Sequence, residues 1–199
     1  QDPGRLVDNA SGWTDAGVGD VIDWHVYLGP DSPVPTATRA AVLGEFGGLG
    51  LRVAGHEWDP AASFGYEMQP DGAALTGRYL GLLYDTRSLL HGKGLSAAIY
   101  TAVTDVENEL DGMWTYDRQV LKVDPDTVRA AHQLARELES KARALEKDLR
   151  LMPMERETAY QVMHEALGLL RAVDELRDLK LEDRNVKARE LVSRVSDEK

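Results

Sequence analysis

The sequence predicts an α/β fold: parallel strands with interleaved helices, followed by an α-helical hairpin. Three observations carry this. Short, nearly continuous apolar runs recur between residues 5 and 103, as in parallel strands covered on both faces. A segment of helical period separates two of them. From Asp126 onward glycine all but disappears, and Leu, Ala, Glu, Arg and Lys take over with heptad-like spacing.

Four strands are expected, at "RLVDN", "DVIDWHVY", "AAVLGEF" and "LSAAIYTAV". A helix is expected over "GAALTGRYLGLLYDTRSLLHG", where Leu75, Tyr79, Leu82 and Leu89 or Leu90 share one face and Gly92 supplies a stop. A shorter helix is expected at "TATRAA", with Thr36 or Thr38 as cap. Strand, helix, strand, helix, strand is a β/α order with parallel strands. Asp124-Pro125-Asp126 reads as a helix start with Asp126 as a cap. Ala131, Ala135, Leu138, Ala142, Leu145 and Leu149 then form a seam. Pro153 breaks it, since a helix interior does not accept proline. A second limb follows, with Met163, Leu167, Leu170, Val173 and Leu176 on one face.

The net charge of −11 disfavours non-specific binding to nucleic acid or to an anionic membrane. No run approaches the roughly 20 apolar residues of a bilayer span. Without cysteine there is no disulfide, thiolate metal site or thiol nucleophile. The start at Gln1, without methionine or a signal-like run, reads as processed or excised; any targeting signal would precede it.

In parallel β/α folds ligands gather at the carboxyl ends of strands. Asn9 and Trp13 follow the first strand. Asp23, His25 and Tyr27 end the second, spaced by two and therefore on one face. Glu45 ends the third, and Tyr100, Asp105 and Glu107 lie at or after the fourth. Acids, amide, imidazole, phenol and indole together suit a sugar, whose hydroxyls need polar partners and whose ring needs an aromatic face. Glu45 reads either as a carboxylate bonded to its glycine-rich turn or as a nucleophile for an anomeric carbon. The apolar run before it, Phe46 beside it and the close-approach glycines Gly47 and Gly48 favour the nucleophile. These glycines match no phosphate-binding pattern. Tyr27 is either a core tyrosine or a phenol that tunes Glu45. Trp13 and Trp58 are sugar platforms or loop anchors; Asp105 and Glu107 are sugar ligands or turn residues. His25 with Asp23 would be a metal pair only with a third ligand, and His56, His91, His132 and His164 are scattered; no metal is expected.

"NASGWTDAGVGDVIDWHVYLGP", "RAAVLGEFGGLGL" and "GKGLSAAIYTAVTDVENELDGMWTYDR", in that order, resemble the catalytic barrel of glycoside hydrolase family 2, the β-galactosidase, β-glucuronidase and β-mannosidase family. The similarity runs from Asp2 to Gln133 and is nearest to bacterial β-galactosidase-like members with an Asp-x-His-x-Tyr-Pro-Gly-Pro strand end; Leu28 stands where they often have proline. The resemblance implies that residues 1–125 are the carboxyl-terminal half, strands 5 to 8, of a parallel (β/α)8 barrel. Residues 126–199 would be its final helix plus a helical tail. It implies that Glu45 is the nucleophile of a retaining glycosidase and Tyr27 the tyrosine beside it, with no cofactor.

Retention needs two carboxyl groups about 5 Å apart. The resemblance places the acid/base glutamate in an Asn-Glu pair on a strand that precedes this chain; Asn108-Glu109 does not match it. The expected activity is therefore that of a piece inactive alone, binding a β-glycoside or oligosaccharide once completed by a missing half. The alternative is a non-catalytic interaction module that self-associates through its helical tail or open strand edges.

Overall fold

The computed structural model of the chain describes residues 4–9, 12–61 and 64–151. It divides into two compact units, Gln1–Asp124 and Pro125–Lys199.

The first unit is built on a three-stranded parallel sheet of β1 (Val21–Val26), β2 (Ala40–Gly47) and β5 (Leu95–Thr101), in the order β1-β2-β5. A second, two-stranded parallel pair joins β3 (Leu49–Gly50) to β4 (Glu67–Met68). The helix α1 (Gly72–Gly92) connects β4 to β5. Its bounds are those of the periodic segment. Asp71 caps it, its carboxylate accepting from Ala74 N at 2.8 Å, and Lys93 N closes it on Leu89 O. Leu75, Tyr79 and Leu82 are buried. The Tyr79 ring meets Tyr100 edge-on, and Tyr100 meets Phe46 in the same way. Helix and sheet are thus joined through Leu43, Phe46 and Leu49 of the β2–β3 run, each at most 2 % exposed. Truncating such a leucine to alanine typically costs about 2–5 kcal/mol.

The half-barrel expectation is corrected by this architecture. Four strands of a (β/α)8 half would each lead into a helix. The described residues hold three paired strands in the main sheet and one helix in this unit. "RLVDN" forms no strand. Val7 is instead engaged by Asp20, whose backbone N–H donates to Val7 O and whose carboxylate accepts from Val7 N. "TATRAA" forms no helix either. Pro30, Pro33 and Pro35 withhold backbone donors just before it. Thr36 Oγ1 closes a turn on Arg39 N at 3.0 Å, and Ala40 and Ala41 already belong to β2.

In the second unit α2 (Pro125–Leu151) is one amphipathic helix. Pro125 opens it, where its missing N–H is not needed, and Asp126 lies in the first turn beside Arg129 rather than capping. A helical hairpin is therefore not what the described residues form. Its second limb, from Met154 onward, falls within 152–199, outside them. No described helix is long and apolar enough to cross a membrane.

Candidate functional site

The site grows from an irregularity where β1 meets β2. The parallel register runs Asp23↔Val42 and Trp24↔Leu43, then jumps to His25↔Glu45. Gly44 is the extra residue of a bulge, a device that re-aims the side chain beyond it. Its N–H leaves the ladder and donates to Asp23 Oδ1 at 2.7 Å. A Cβ at Gly44 would collide with that carboxylate, so the bulge accepts only glycine. The shift sets Glu45 beside His25.

Four side chains then converge. The Tyr27 hydroxyl donates to Glu45 Oε2. His25 Nδ1 lies 3.4 Å from the same oxygen, and His25 Nε2 lies 3.1 Å from Asp23 Oδ2. Asp23 and Tyr27 are buried, whereas the Glu45 side chain is 40 % exposed and thus reachable. Trp13, 70 % exposed, lies 5.8 Å from His25 edge-on and 6.1 Å from Tyr27 nearly parallel. Its loop is held down by Arg39, which forks onto Asp15 at 2.7 and 2.8 Å and reaches Val18 O and Val21 O. That fork keeps the Asp15 carboxyl at about 2, below its usual range.

Four residues chosen from the sequence lie outside this convergence. Tyr100 packs between Phe46 and Tyr79, and burial raises its phenol above the ordinary range. Asp105 forms a buried pair with Lys122 at 2.6 Å. Asn9 is half-buried near Gly19, its Oδ1 without a hydrogen-bond partner among the described residues. Trp58 pairs with Tyr116 at 5.0 Å, beside the His56–Asp117 contact of 2.8 Å.

Tyr66 joins the site without a signal in the sequence pattern. Its ring stacks on Tyr27 at 3.7 Å and 7°, and Phe64 meets it edge-on at 5.0 Å. Burial first, then the charges of Glu109, Glu45 and Asp111, push its phenol upward. Trp13, Tyr27, Tyr66 and Phe64 form an aromatic run beside an accessible carboxylate. Such a surface offers π faces to C–H groups and one anionic oxygen to an electrophilic carbon. Among the described residues no three His, Asp or Glu side chains gather closely enough to hold a metal ion. No protein-family model matches the chain, and no curated protein does.

Proposed function

We propose that the chain carries the nucleophile half of a retaining β-glycosidase site, with Glu45 attacking the anomeric carbon of a β-glycoside. The observation that carries this reading is the hydrogen bond from the Tyr27 hydroxyl to Glu45 Oε2, on a carboxylate that remains solvent-accessible. The reading rests on these side chains and not on a barrel. In the glycosylation step a bond forms between Glu45 and C1 as the bond from C1 to the leaving group breaks. The Tyr27 hydroxyl orients the carboxylate, and the faces of Trp13 and Tyr66 supply an apolar wall. An alcohol leaving group needs a proton from a second carboxylic acid, which in this reading belongs to a part of the site outside this chain.

That asymmetry supplies the test. A 2-deoxy-2-fluoro-β-glycosyl fluoride expels fluoride without acid assistance, so it reads the nucleophile alone. Members of the galacto, gluco, manno and glucurono series are expected to include one that adds a single glycosyl group to Glu45, seen by intact mass and peptide mapping. Glu45→Gln is expected to abolish the adduct. Aryl β-glycosides are expected not to turn over. An adduct on another residue, or none in any series, defeats the proposal.

A second reading, a self-associating module, is favoured by β5. Ser96, Ala97, Ala98 and Ile99 are exposed, the strand carries no charge, and its outer edge is unpaired among the described residues. An uncharged open edge is a template for another strand. Light scattering on the whole chain is expected to give a multiple of 22.0 kDa under this reading, and a clean monomer rejects it.

A further inference from the structure

We infer that His25 is a doubly protonated clamp: an imidazolium held between Asp23 and Glu45 that positions the Glu45 carboxylate, and does not itself contact the sugar. The inference deepens the glycosidase reading and rests on it for its kinetic consequence, but not for its proton count.

His25 Nε2 faces Asp23 Oδ2 at 3.1 Å and Nδ1 faces Glu45 Oε2 at 3.4 Å. A neutral imidazole has one N–H, and either tautomer would aim a nitrogen lone pair at a carboxylate oxygen. The imidazolium has an N–H for each. Neither acid is free to turn away. Asp23 Oδ1 is tied to Gly44 N at 2.7 Å, and Glu45 Oε2 receives the Tyr27 hydroxyl. The ring is fixed as well. His25 N donates to Gly12 O at 3.0 Å, and the imidazole lies so close over Gly12 that a Cβ there would strike it. Gly12 has φ +82°, which further reserves the position for glycine. Trp13 closes the ring's edge. The charged groups around the ring are Asp23 from β1, Glu45 from β2, and Asp8 from the amino-terminal segment. The Asp8 carboxyl is pushed up by burial and by Asp23, and drawn down by His25.

The resulting arrangement is carboxylate, imidazolium, carboxylate, with one end buried and the other exposed. The buried end fixes the ring, and the ring fixes the Glu45 oxygen that also receives the phenol. The remaining oxygen, Oε1, is the one left for attack. Pre-organisation of this kind acts on the rate of bond formation, since small misplacements of a reacting group cost up to about 100-fold.

Two measurements test it on the whole chain. In long-range ¹⁵N–¹H spectra of the ¹⁵N-labelled wild type at neutral pH, both His25 ring nitrogens are expected to show protonated shifts, with one reverting to the unprotonated range in the Asp23→Asn, Glu45→Gln double variant. A single protonated nitrogen in the wild type overturns the proposal. In the second measurement, His25→Gln and Asp23→Asn are each expected to slow formation of the fluoroglycosyl ester on Glu45 by about 100-fold. Near-ultraviolet circular dichroism verifies that both variants are folded. Labelling at the wild-type rate in both also overturns it, while leaving Glu45 as nucleophile. If the wild type takes no label at all, the glycosidase reading fails, and the nitrogen shifts decide the clamp by themselves.

Discussion

Replacing Lys122 with methionine is expected to cost the first unit about 3–5 kcal/mol, the usual penalty for breaking a buried ion pair from one side. The Lys122 side chain is fully buried and that of Asp105 is 3 % exposed. All three ammonium protons are used: Asp105 Oδ1 at 2.6 Å, Leu110 O at 2.8 Å and Leu51 O at 3.1 Å. One side chain therefore ties together the segment after β3, the loop after β5 and the chain leading to Asp124. Burial works against both charges, lowering the Lys122 ammonium and raising the Asp105 carboxyl from their ordinary values. The pair is thus held by its mutual contact and its backbone partners. Methionine fills the volume but takes the ammonium from a buried carboxylate and two carbonyls, leaving the Asp105 charge with the Gly112 N–H and Leu110 O with the Leu51 N–H. The measurement is urea unfolding followed by tryptophan fluorescence, which reads this unit alone because all four tryptophans precede residue 125. The midpoint is expected to fall with an unchanged slope. Adding Asp105→Asn to Lys122→Met is expected to recover part of the loss, because the charge that Lys122 paired is then gone; a further loss in the double variant contradicts the account.

This pair also marks where sequence reading ends. The apolar runs at Val21–Val26, Ala40–Gly47 and Leu95–Thr101 were legible as strands, although cover on both faces does not hold for the last, where Ser96 to Ile99 are exposed. Helix α1 was legible to its last residue, because its stripe and its glycine stop agree. What the pattern does not encode is pairing over distance. Lys122 meets Asp105 across 17 residues and Leu51 across 71, and neither position breaks a local rule. Asp105 looks like any acid after a strand, open to a sugar or a turn role, and in the fold it is the partner of a buried lysine.

The site divides in the same way. The two-residue spacing of Asp23, His25 and Tyr27 is a period-2 pattern and correctly put them on one face. Their meeting with Glu45 depends on the bulge at Gly44, which a glycine-rich string suggests but does not locate. Tyr66 comes from a connection with no period at all, and only the folded chain brings it onto Tyr27. Two elements read from local pattern do not form: "RLVDN" is no strand, and "TATRAA" is no helix, because three prolines before it replace a crossover helix between β1 and β2.

Asp111→Asn is expected to stabilise the first unit at about pH 8 by about 1–3 kcal/mol, and the gain is expected to vanish as pH falls toward about 4. Asp111 is 1 % exposed, and its Oδ1 has no hydrogen-bond partner among the described residues. Burial is the main force raising its carboxyl from 3.8 to about 6, followed by the charge of Glu109; Asp105 adds to the rise, while the residue's own N–H and Lys122 oppose it. The folded state therefore binds this proton more tightly than the unfolded state. Below the unfolded value both states are protonated and nothing is lost. Between that value and about 6 only the unfolded chain ionises, so stability declines as pH rises. Above about 6 both are ionised, and the full penalty, about 3 kcal/mol for a shift of this size, is present. An amide keeps the shape and cannot ionise, so it removes the penalty where the penalty exists. Thermal unfolding of wild type and variant across this range is the measurement. A difference independent of pH, or a variant less stable than wild type at about pH 8, contradicts the assignment. The same charge reaches the Tyr66 phenol that stacks on Tyr27, so the substitution is also expected to lower that phenol toward its ordinary value. A buried acid that weakens the fold while adding negative potential at the Tyr66 phenol is a local conflict between charge placement and stability.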